Sequence, residues 1–229
     1  MYILAPSIYA ADTMELERQL RILEEAGITR LHVDIMDGRF VPGFSFGADF
    51  VEALRRRTGL ELDVHLMAEH PGTYVEDFLS AGADILTVDW EAEDSAVEIL
   101  KKIRERRRRP GIVLKPESDP RKLPDEVWEL ADVVQLMTVA PGLKGQHFLE
   151  AVLPKIAWVR RRIEESGRRI QLETDGDINE TNLEQVLEAG ADVIVMGKAL
   201  FGGNLERNLF RYRKRARKAA GPFEKEALA

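Results

Sequence analysis

Four side chains of metal-binding type lie in three short apolar segments of this sequence. His32 and Asp34 lie in LHVDIM, His65 lies in LDVHLM, and Asp175 ends LETD; the chain has four histidines in all. Because side chains alternate between the faces of a β-strand, His32 and Asp34 would point to the same side. Two imidazoles and two carboxylates suit Zn²⁺, Mn²⁺, Fe²⁺ or Co²⁺, whereas Ca²⁺ prefers oxygen ligands.

The composition is that of an ordinary globular protein and excludes several kinds of site. The chain has 229 residues, 45% hydrophobic and 32% charged, with no linker-like stretch, which predicts a single domain over 1–229. It contains no cysteine, so it has no disulfide framework, no cysteine-based zinc site and no thiol nucleophile. No signal peptide is evident, and no apolar run approaches the roughly 20 residues that cross a bilayer. We therefore expect a cytoplasmic protein without a membrane partner.

The charge pattern does not favour a nucleic-acid partner. The formal net charge is −7, and the basic runs at 104–110 and 160–169 include or adjoin glutamate. Such runs are typical of solvated helix ends, where cations also suit the helix dipole.

Short apolar segments alternate with longer amphipathic ones along the whole chain. The predicted strands are 2–8, 31–35, 61–66, 85–89, 111–115, 133–138, 170–174 and 193–196. The predicted helices are 13–26, 47–57, 72–81, 95–107, 120–131, 147–166, 180–189 and 205–219. The repeated pattern EAGITRLHV, SAGADILTV and EAGADVIVM marks a helix end, an Ala-Gly turn and a buried strand.

Eight such units predict an α/β fold, a single (β/α)8 TIM barrel with a parallel eight-stranded barrel and outer helices. An open doubly wound sheet is the alternative. It is disfavoured because no glycine-rich fingerprint follows the first strand.

A barrel would bring the four metal-type side chains to one mouth, because active sites of this fold lie at the C-terminal ends of the strands. For either histidine alone, a hydrogen-bonded core role is the alternative. Met36, Met67 and Met137 stand at or just past strand ends. A single methionine usually fills gaps in a core, but three at equivalent ends predict an apolar wall above the metal.

Three glycine-containing segments follow the sixth, seventh and eighth predicted strands. They are APGLKGQ at 140–146, DGD at 175–177 and MGKALFGG at 196–203. Barrels often bind phosphate after the last two strands, where glycine lets backbone N–H groups approach an anion. The PG-x-x-G pattern is equally compatible with a simple turn.

Several segments resemble the successive motifs of the ribulose-phosphate 3-epimerase family. They are LAPSIYAAD, LHVDIMDGRFVPGFSFG, LDVHLM, AGADILTV, LMTVAPGLKGQHF, TDGDIN and AGADVIVMGKALF. The resemblance runs from the first to the eighth strand, and H-x-D-x-M-D-G-x-F-V-P is its most specific part. It implies an isomerase that inverts C3 of a ketose phosphate, D-ribulose 5-phosphate to D-xylulose 5-phosphate in most members, and hence a place in the pentose phosphate pathway.

The resemblance also implies a role for each matching residue. One divalent metal ion (Zn, Fe, Mn or Co) would be held by His32, Asp34, His65 and Asp175. Asp34 and Asp175 would also be the catalytic acid/base pair. The implied substrate-binding residues are Ser7, His32, Met36, His65, Met67, Met137, Gly142, Gly145, Gln146, Gly176, Gly197 and Lys198. The implied partners are a small sugar phosphate and further copies of the chain in a homo-oligomer.

The implied chemistry makes a specific demand on the two carboxylates. Removing the C3 proton beside a C2 ketone leaves an enediolate, whose charge a divalent metal can stabilise. Epimerisation needs one group to take the proton from one face and another to return a proton to the opposite face. Metal coordination should lower the pKa of both carboxyl groups, yet one must be protonated. The sequence leaves that balance open.

The chain departs from the family pattern, mainly at the end that would hold the phosphate. Asp177 stands where a second glycine is usual, and a carboxylate there would repel a phosphate dianion. The other departures are Lys198 for Ser, Lys144 for Gly, Leu143 for Phe, Ala140 for a polar residue, and Asp89 for His. We expect them to affect the substrate more than the reaction, so a 3-epimerase for allulose 6-phosphate or a related ketose is the alternative. The lysines could offset Asp177, or Lys144 and Asp177 could point to solvent.

Two other functions compete. A barrel that binds a sugar phosphate without turnover would be expected to lack one of the two carboxylates, and both are present. A lyase or decarboxylase would need a nearby lysine, for which Lys115 in GIVLKPES is the candidate.

Overall fold

The computed structural model describes residues 2–143 and 145–219, of which 215–219 are described by backbone alone. The strands are β1 Ile3–Pro6, β2 Arg30–Met36, β3 Glu61–Met67, β4 Ile85–Asp89, β5 Arg109–Leu114, β6 Val133–Met137, β7 Gln171–Asp175 and β8 Val193–Met196. The helices are α1 Leu16–Glu25, α2 Ala48–Arg55, α3 Val75–Ala81, α4 Ala96–Glu105, α5 Asp125–Leu130, α6 Leu153–Ser166, α7 Leu183–Glu188, α8 Lys198–Phe201 and α9 Leu205–Ala219. Among the described residues, no helix has both the length and the apolar character needed to cross a bilayer.

The eight strands form one parallel sheet that curls into a barrel. Its order is β1-β8-β7-β6-β5-β4-β3-β2, so each strand except the two at the seam pairs with its sequence neighbours. The seam between β1 and β2 is bridged by a parallel pairing of Ser7 with His32. This confirms the predicted (β/α)8 barrel. It excludes the open doubly wound sheet, in which the strand order would reverse within the sheet.

The largest differences from the predicted helix starts are at α5, which begins at Asp125 instead of 120, and at α6, which begins at Leu153 instead of 147; both have a proline near their start. The segment 120–131 divides into a 3-10 turn, Pro120–Lys122, and α5, with Pro124 at the N-cap of α5. The segment 147–166 begins as the 3-10 turn Glu150–Val152 before α6. Proline lacks a backbone N–H and is tolerated only in the first turn of a helix. A proline therefore marks the start of a helix. Helix α8, directly after β8, is not among the predicted elements.

The barrel interior is unusually polar. The strand register sets inward-facing residues of neighbouring strands side by side: Arg30 with Glu61, His32 with Asp63, and Asp34 with His65. Barrels are normally filled by branched apolar side chains. Here such residues line the interior near the seam, where Ile3, Ala5, Val193 and Val195 pack together. The outward-facing residues of β2 are the apolar Leu31, Val33 and Ile35, buried under the helices.

Arg30 supplies the positive charge that this interior needs. Its side chain is fully buried, and its guanidinium contacts Glu61 Oε2 at 2.8 Å and Glu173 Oε2 at 3.3 Å. It also donates to Gln171 Oε1 at 2.7 Å and lies 3.9 Å from Asp63 Oδ2. Buried carboxylates are tolerated only when they are paired and hydrogen-bonded. Arg30 therefore compensates the charge beneath the mouth of the barrel.

Replacing Arg30 tests this compensation. Arg30→Met keeps much of the side-chain volume but leaves Asp63 and Glu173 buried without their cation. The free energy of unfolding, measured by urea denaturation, should fall by about 3–5 kcal/mol.

An exposed arginine provides the control. Arg21 pairs with Glu17 at 3.4 Å on the surface of α1, where both side chains are 62% exposed. Arg21→Ala should change the unfolding free energy by less than about 1 kcal/mol. Equal unfolding curves for the two variants would contradict the role given to Arg30.

Candidate active site

Four side chains from β2, β3 and β7 converge at the C-terminal end of the barrel. One ligand atom from each of His32, Asp34, His65 and Asp175 lies within 4.8 Å of the others. His32 Nε2 is 3.4 Å from Asp34 Oδ1 and 4.0 Å from Asp175 Oδ2, and His65 Nδ1 is 3.9 Å from Asp34 Oδ1. In the sheet, β1 and β8 separate β2 from β7, so the two carboxylates enter from different strands across the seam. The residues predicted to act together are thus neighbours.

The cluster fits a divalent cation. His32 is fully buried, yet its Nε2 has no hydrogen-bond partner among the described residues. Buried polar atoms are nearly always satisfied, so an unpartnered nitrogen that faces two carboxylates indicates a missing positive group. Two histidine nitrogens and two carboxylate oxygens form a donor set for Zn²⁺ and similar metals.

Each histidine is held by a carboxylate on its other ring nitrogen. His32 Nδ1 lies 3.3 Å from Asp63 Oδ2 and 3.6 Å from Glu173 Oε1. His65 Nε2 lies 3.1 Å from Asp89 Oδ2. A carboxylate in that position sets the tautomer of a metal-binding imidazole and leaves the opposite nitrogen free. The nitrogens that face the cluster are therefore Nε2 of His32 and Nδ1 of His65, and the side-chain Nε2 of Gln135 lies 3.4 Å from the latter.

The charged residues that support the cluster were not among the predicted site residues, although their spacing in the sequence indicates them. Arg30, Asp63 and Glu173 each stand two positions before a residue of the cluster. A charged residue at that spacing shares the inward face of its strand. With His32, Asp63 and Glu173 form a second group of possible metal ligands. The Arg30 guanidinium already supplies a positive charge there.

Asp89 lies apart from the other departures from the family pattern. Its side chain is fully buried at the end of β4 and contacts His65, a residue of the metal-type cluster. Its effect on the chemistry should therefore pass through His65.

Ser7 contacts the cluster, and the three methionines lie at the ends of β2, β3 and β6. Ser7 Oγ donates a hydrogen bond of 2.5 Å to Asp34 Oδ2. Met36 and Met67 form a buried apolar cluster with Val41, and Met137 is buried at the end of β6. The mouth therefore combines a polar floor with apolar side chains at the strand ends.

Two of the predicted phosphate glycines have a structural reason to be glycine. Gly142 has a φ of +74°, and a Cβ there would lie 2.4 Å from Val41 Cβ. Gly176 has a φ of +128°, and a Cβ there would lie 2.6 Å from Val139 Cγ2. Both positions strongly disfavour other residues, because positive φ and close packing act together. Their identity therefore follows from loop packing at the mouth, whether or not they also contact a phosphate.

The remaining residues of the predicted phosphate end are spread over three loops. Gly145 is exposed, Gln146 is half-buried, and Gly197 is the N-cap of α8, whose first residue Lys198 is exposed. Asp177 is exposed at a φ of +47°, and its carboxylate lies 3.9 Å from His147 Nδ1. Lys144 lies outside the described residues.

The pKa values of the two carboxyl groups in the cluster are driven apart. Burial raises the pKa of Asp175 to about 7, and the negative charge of Asp34 adds to the rise. Burial would also raise the pKa of Asp34, but His32, His65 and the Ser7 hydroxyl outweigh it and lower that pKa to about 2. Near neutral pH the metal-free site thus contains one ionised carboxyl group and one that is close to half protonated. That is the asymmetry required of an acid/base pair.

The coupling between the two carboxyl groups can be measured directly. Asp34→Asn removes a negative charge beside Asp175, so the ionised form of Asp175 becomes less costly and its pKa should fall below about 7. Carbon-13 NMR titration of labelled, metal-free protein would follow the Asp175 carboxyl. Ser45→Ala is the control, because Ser45 bonds the backbone of β2 and not its carboxylates. An unchanged Asp175 pKa in Asp34→Asn would rule out the coupling.

Comparison with known proteins identifies the family. A family model described as the ribulose-phosphate 3 epimerase family matches residues 3–201. The ribulose-phosphate 3-epimerase of Bacillus subtilis (strain 168) is 42% identical over 199 residues, which are 86% of this chain and 91% of the relative. That of Synechocystis sp. is 44% identical over 201 residues, 87% of each chain. A chloroplastic ribulose-5-phosphate-3-epimerase of Arabidopsis thaliana is 40% identical, covering 87% of this chain and 72% of the relative.

Solved structures with low identity share the fold alone. Orotidine 5'-monophosphate decarboxylase from Sulfolobus solfataricus superposes with a TM-score of 0.71 at 13% identity, covering 96% of this chain and 100% of the other. A 3-hexulose-6-phosphate synthase gives 0.63 at 18% identity, covering 96% and 98%. The family match, together with identities of 40–44% over most of the chain, shows that this chain belongs to the ribulose-phosphate 3-epimerase family and is an isomerase.

Proposed function

We propose that the chain is a metal-dependent 3-epimerase of a ketose phosphate, interconverting D-ribulose 5-phosphate and D-xylulose 5-phosphate. The observation that carries this proposal is the cluster at the mouth, where two carboxyl groups of different pKa, Asp34 and Asp175, lie beside two oriented histidines. The relatives named as ribulose-phosphate 3-epimerases support the substrate.

One divalent ion of Zn, Fe, Mn or Co would be held by His32, Asp34, His65 and Asp175. When bound, it would act as a Lewis acid that stabilises negative charge on the substrate oxygens. The residues beneath it have a separate task. Asp63 and Asp89 orient the two imidazoles, and Arg30 keeps the buried charge in balance.

The two carboxyl groups would perform the proton transfers. Asp34, ionised, takes the C3 proton, and the electron pair of the broken C–H bond passes onto the C2 carbonyl to give an enediolate. Asp175, protonated, returns a proton to C3 from the opposite face, and the carbonyl forms again. Inversion follows because the groups enter from different strands, and the reverse reaction exchanges their roles. Ser7 would hold the Asp34 carboxylate in place through its hydrogen bond.

The apolar side chains would exclude water from this chemistry. Met36, Met67 and Met137 are buried at the ends of β2, β3 and β6. Removing water strengthens the electrostatic effect of each charged group at the site and protects the carbanion-like intermediate from wrong protonation.

A lysine-dependent lyase has less support. Lys115 Nζ lies 3.9 Å from the centre of the Phe40 ring, in a cation–π contact. The groups of possible metal ligands beneath the mouth consist of histidines and carboxylates. The lysine is therefore engaged by an aromatic ring, and the carboxylates are better placed to transfer protons.

Removing either carboxylate tests the mechanism. Asp34→Asn and Asp175→Asn should each lower the rate of C3 epimerisation by about 10²–10⁴-fold, because each removes one proton-transfer partner. Epimerisation is followed by a coupled assay, and exchange of the C3 hydrogen is followed by NMR in deuterium oxide. Metal content is measured on the same samples, so loss of the ion is distinguished from loss of the acid or base.

The wild-type enzyme, treated with a chelator, should lose exchange and regain it when a divalent ion is added. Near-normal epimerisation by either Asn variant would refute the two-carboxylate mechanism. Absence of exchange with every ketose phosphate by the metal-loaded wild type would refute the proposed function and favour a binding protein without turnover.

The second candidate is an epimerase of a longer or different ketose, such as allulose 6-phosphate. The observation that favours it is Asp177, one of two non-glycine residues with positive φ in the described chain. Asparagine and aspartate tolerate this conformation better than other residues, but glycine adopts it freely. A position suited to glycine thus carries a negative charge in a loop at the mouth.

Asp177→Gly and Asp177→Asn separate charge from conformation. If Asp177 faces the phosphate, both variants should raise kcat/KM for D-ribulose 5-phosphate by roughly fivefold, mainly through KM, since a like charge nearby costs on the order of 1 kcal/mol. Kinetics with D-ribulose 5-phosphate, allulose 6-phosphate and unphosphorylated ketoses are measured in parallel. Unchanged kinetics in both variants would place the Asp177 carboxylate in solvent, and better turnover of another ketose by the wild type would replace the substrate.

A further inference from the structure

We propose that Asp89 is a positioning residue that holds His65 in the tautomer able to bind the metal and sets how tightly the ion is retained. The inference deepens the proposed function and rests on it, because it takes His65 as a metal ligand. It begins from a contact that the metal-type cluster itself does not include.

The contact is short, buried and directed at the correct nitrogen. Asp89 Oδ2 lies 3.1 Å from His65 Nε2, and both side chains are fully buried. His65 Nδ1, on the other side of the ring, lies 3.9 Å from Asp34 Oδ1 and 3.4 Å from the side-chain Nε2 of Gln135. The carboxylate accepts the Nε2 proton, so the Nδ1 lone pair is directed at the cluster.

Asp89 has no other partner to share its charge. In the described part of the chain, its side chain forms a hydrogen bond or ion pair only with His65, and its Oδ1 is buried without a partner. The carboxylates behind His32 differ, because the Arg30 guanidinium lies 3.3 Å from Glu173 and 3.9 Å from Asp63. The two histidines are therefore supported unequally, and the uncompensated carboxylate lies behind His65.

A buried, unshared carboxylate has a definite effect on the imidazole. It favours the Nε2–H tautomer, and its negative charge makes Nδ1 a stronger electron donor to a cation. The charge is also costly to bury, and a divalent ion bound through His65 offsets that cost. Metal binding and the burial of Asp89 therefore stabilise each other.

Metal affinity tests the proposal without reference to turnover. The full-length protein is stripped of metal, and Zn²⁺ affinity is measured by competition with a chromophoric chelator. Asp89→Asn should weaken Zn²⁺ binding by roughly 10- to 100-fold, because an amide is a weaker acceptor and can donate to Nε2, which favours the wrong tautomer. The absorption spectrum of the Co²⁺-loaded protein should shift in the same variant.

Glu91→Gln is the matched control in the same loop. The Glu91 carboxyl accepts hydrogen bonds from Lys115 N, at 3.2 Å, and from Ser118 Oγ, and it has no contact with the cluster. It should bind Zn²⁺ as the wild type does, with an unchanged Co²⁺ spectrum. Wild-type affinity in Asp89→Asn would overturn the proposal and leave Asp89 a space-filling polar residue.

Two further measurements keep the outcome decisive. If Asp89→Asn does not fold, Asp89→His is measured, which should bind Zn²⁺ more weakly than the wild type because a neutral imidazole is the poorer acceptor. Equal affinity there would overturn the proposal. If the wild type itself binds no Zn²⁺ or Co²⁺, the metal assignment of the proposed function fails. Wild-type binding with an unaffected Asp89→Asn defeats only the role of Asp89.

Discussion

The burial of charge inside the barrel is the constraint on which the rest of the structure depends. Arg30 is fully buried and contacts Glu61 and Glu173. Asp63 belongs to the same charged network and contacts His32. Even with the Arg30 cation, burial and the negative charge of Asp63 raise the pKa of Glu173 well above its usual range, whereas His32 and Arg30 outweigh burial at Asp63 and lower its pKa. The barrel therefore builds its active mouth on a charged floor, where most barrels have branched apolar side chains.

The same constraint explains how the carboxyl groups of two neighbouring aspartates differ in pKa. Asp34 lies beside both histidines and accepts from Ser7, so its charge is stabilised. Asp175 is buried near the negative charge of Asp34 and retains its proton more readily. Epimerisation needs one group of each kind at the same pH. The packing that brings four ligand atoms within 4.8 Å also provides this difference.

The two ends of the site are constrained differently. At the end that carries the cluster, each histidine has a defined carboxylate partner, Asp63 for His32 and Asp89 for His65. At the other end, the loops after β6, β7 and β8 are more exposed. They carry two exposed charges of opposite sign, Asp177 and Lys198. The buried contacts of the cluster are therefore separate from the exposed loop charges, on which the proposed choice between substrates rests.

The sequence by itself determined the eight β/α units, the shared face of His32 and Asp34, and the four residues of the cluster, because periodicity and residue type are local properties. Only the tertiary structure decided what supports them. Arg30 meets Glu173 across 143 positions of sequence, and Asp89 meets His65 across 24. Such pairings, and the pKa values that follow from them, depend on the distance and burial of residues remote in the chain. Those quantities exist only once the barrel has closed.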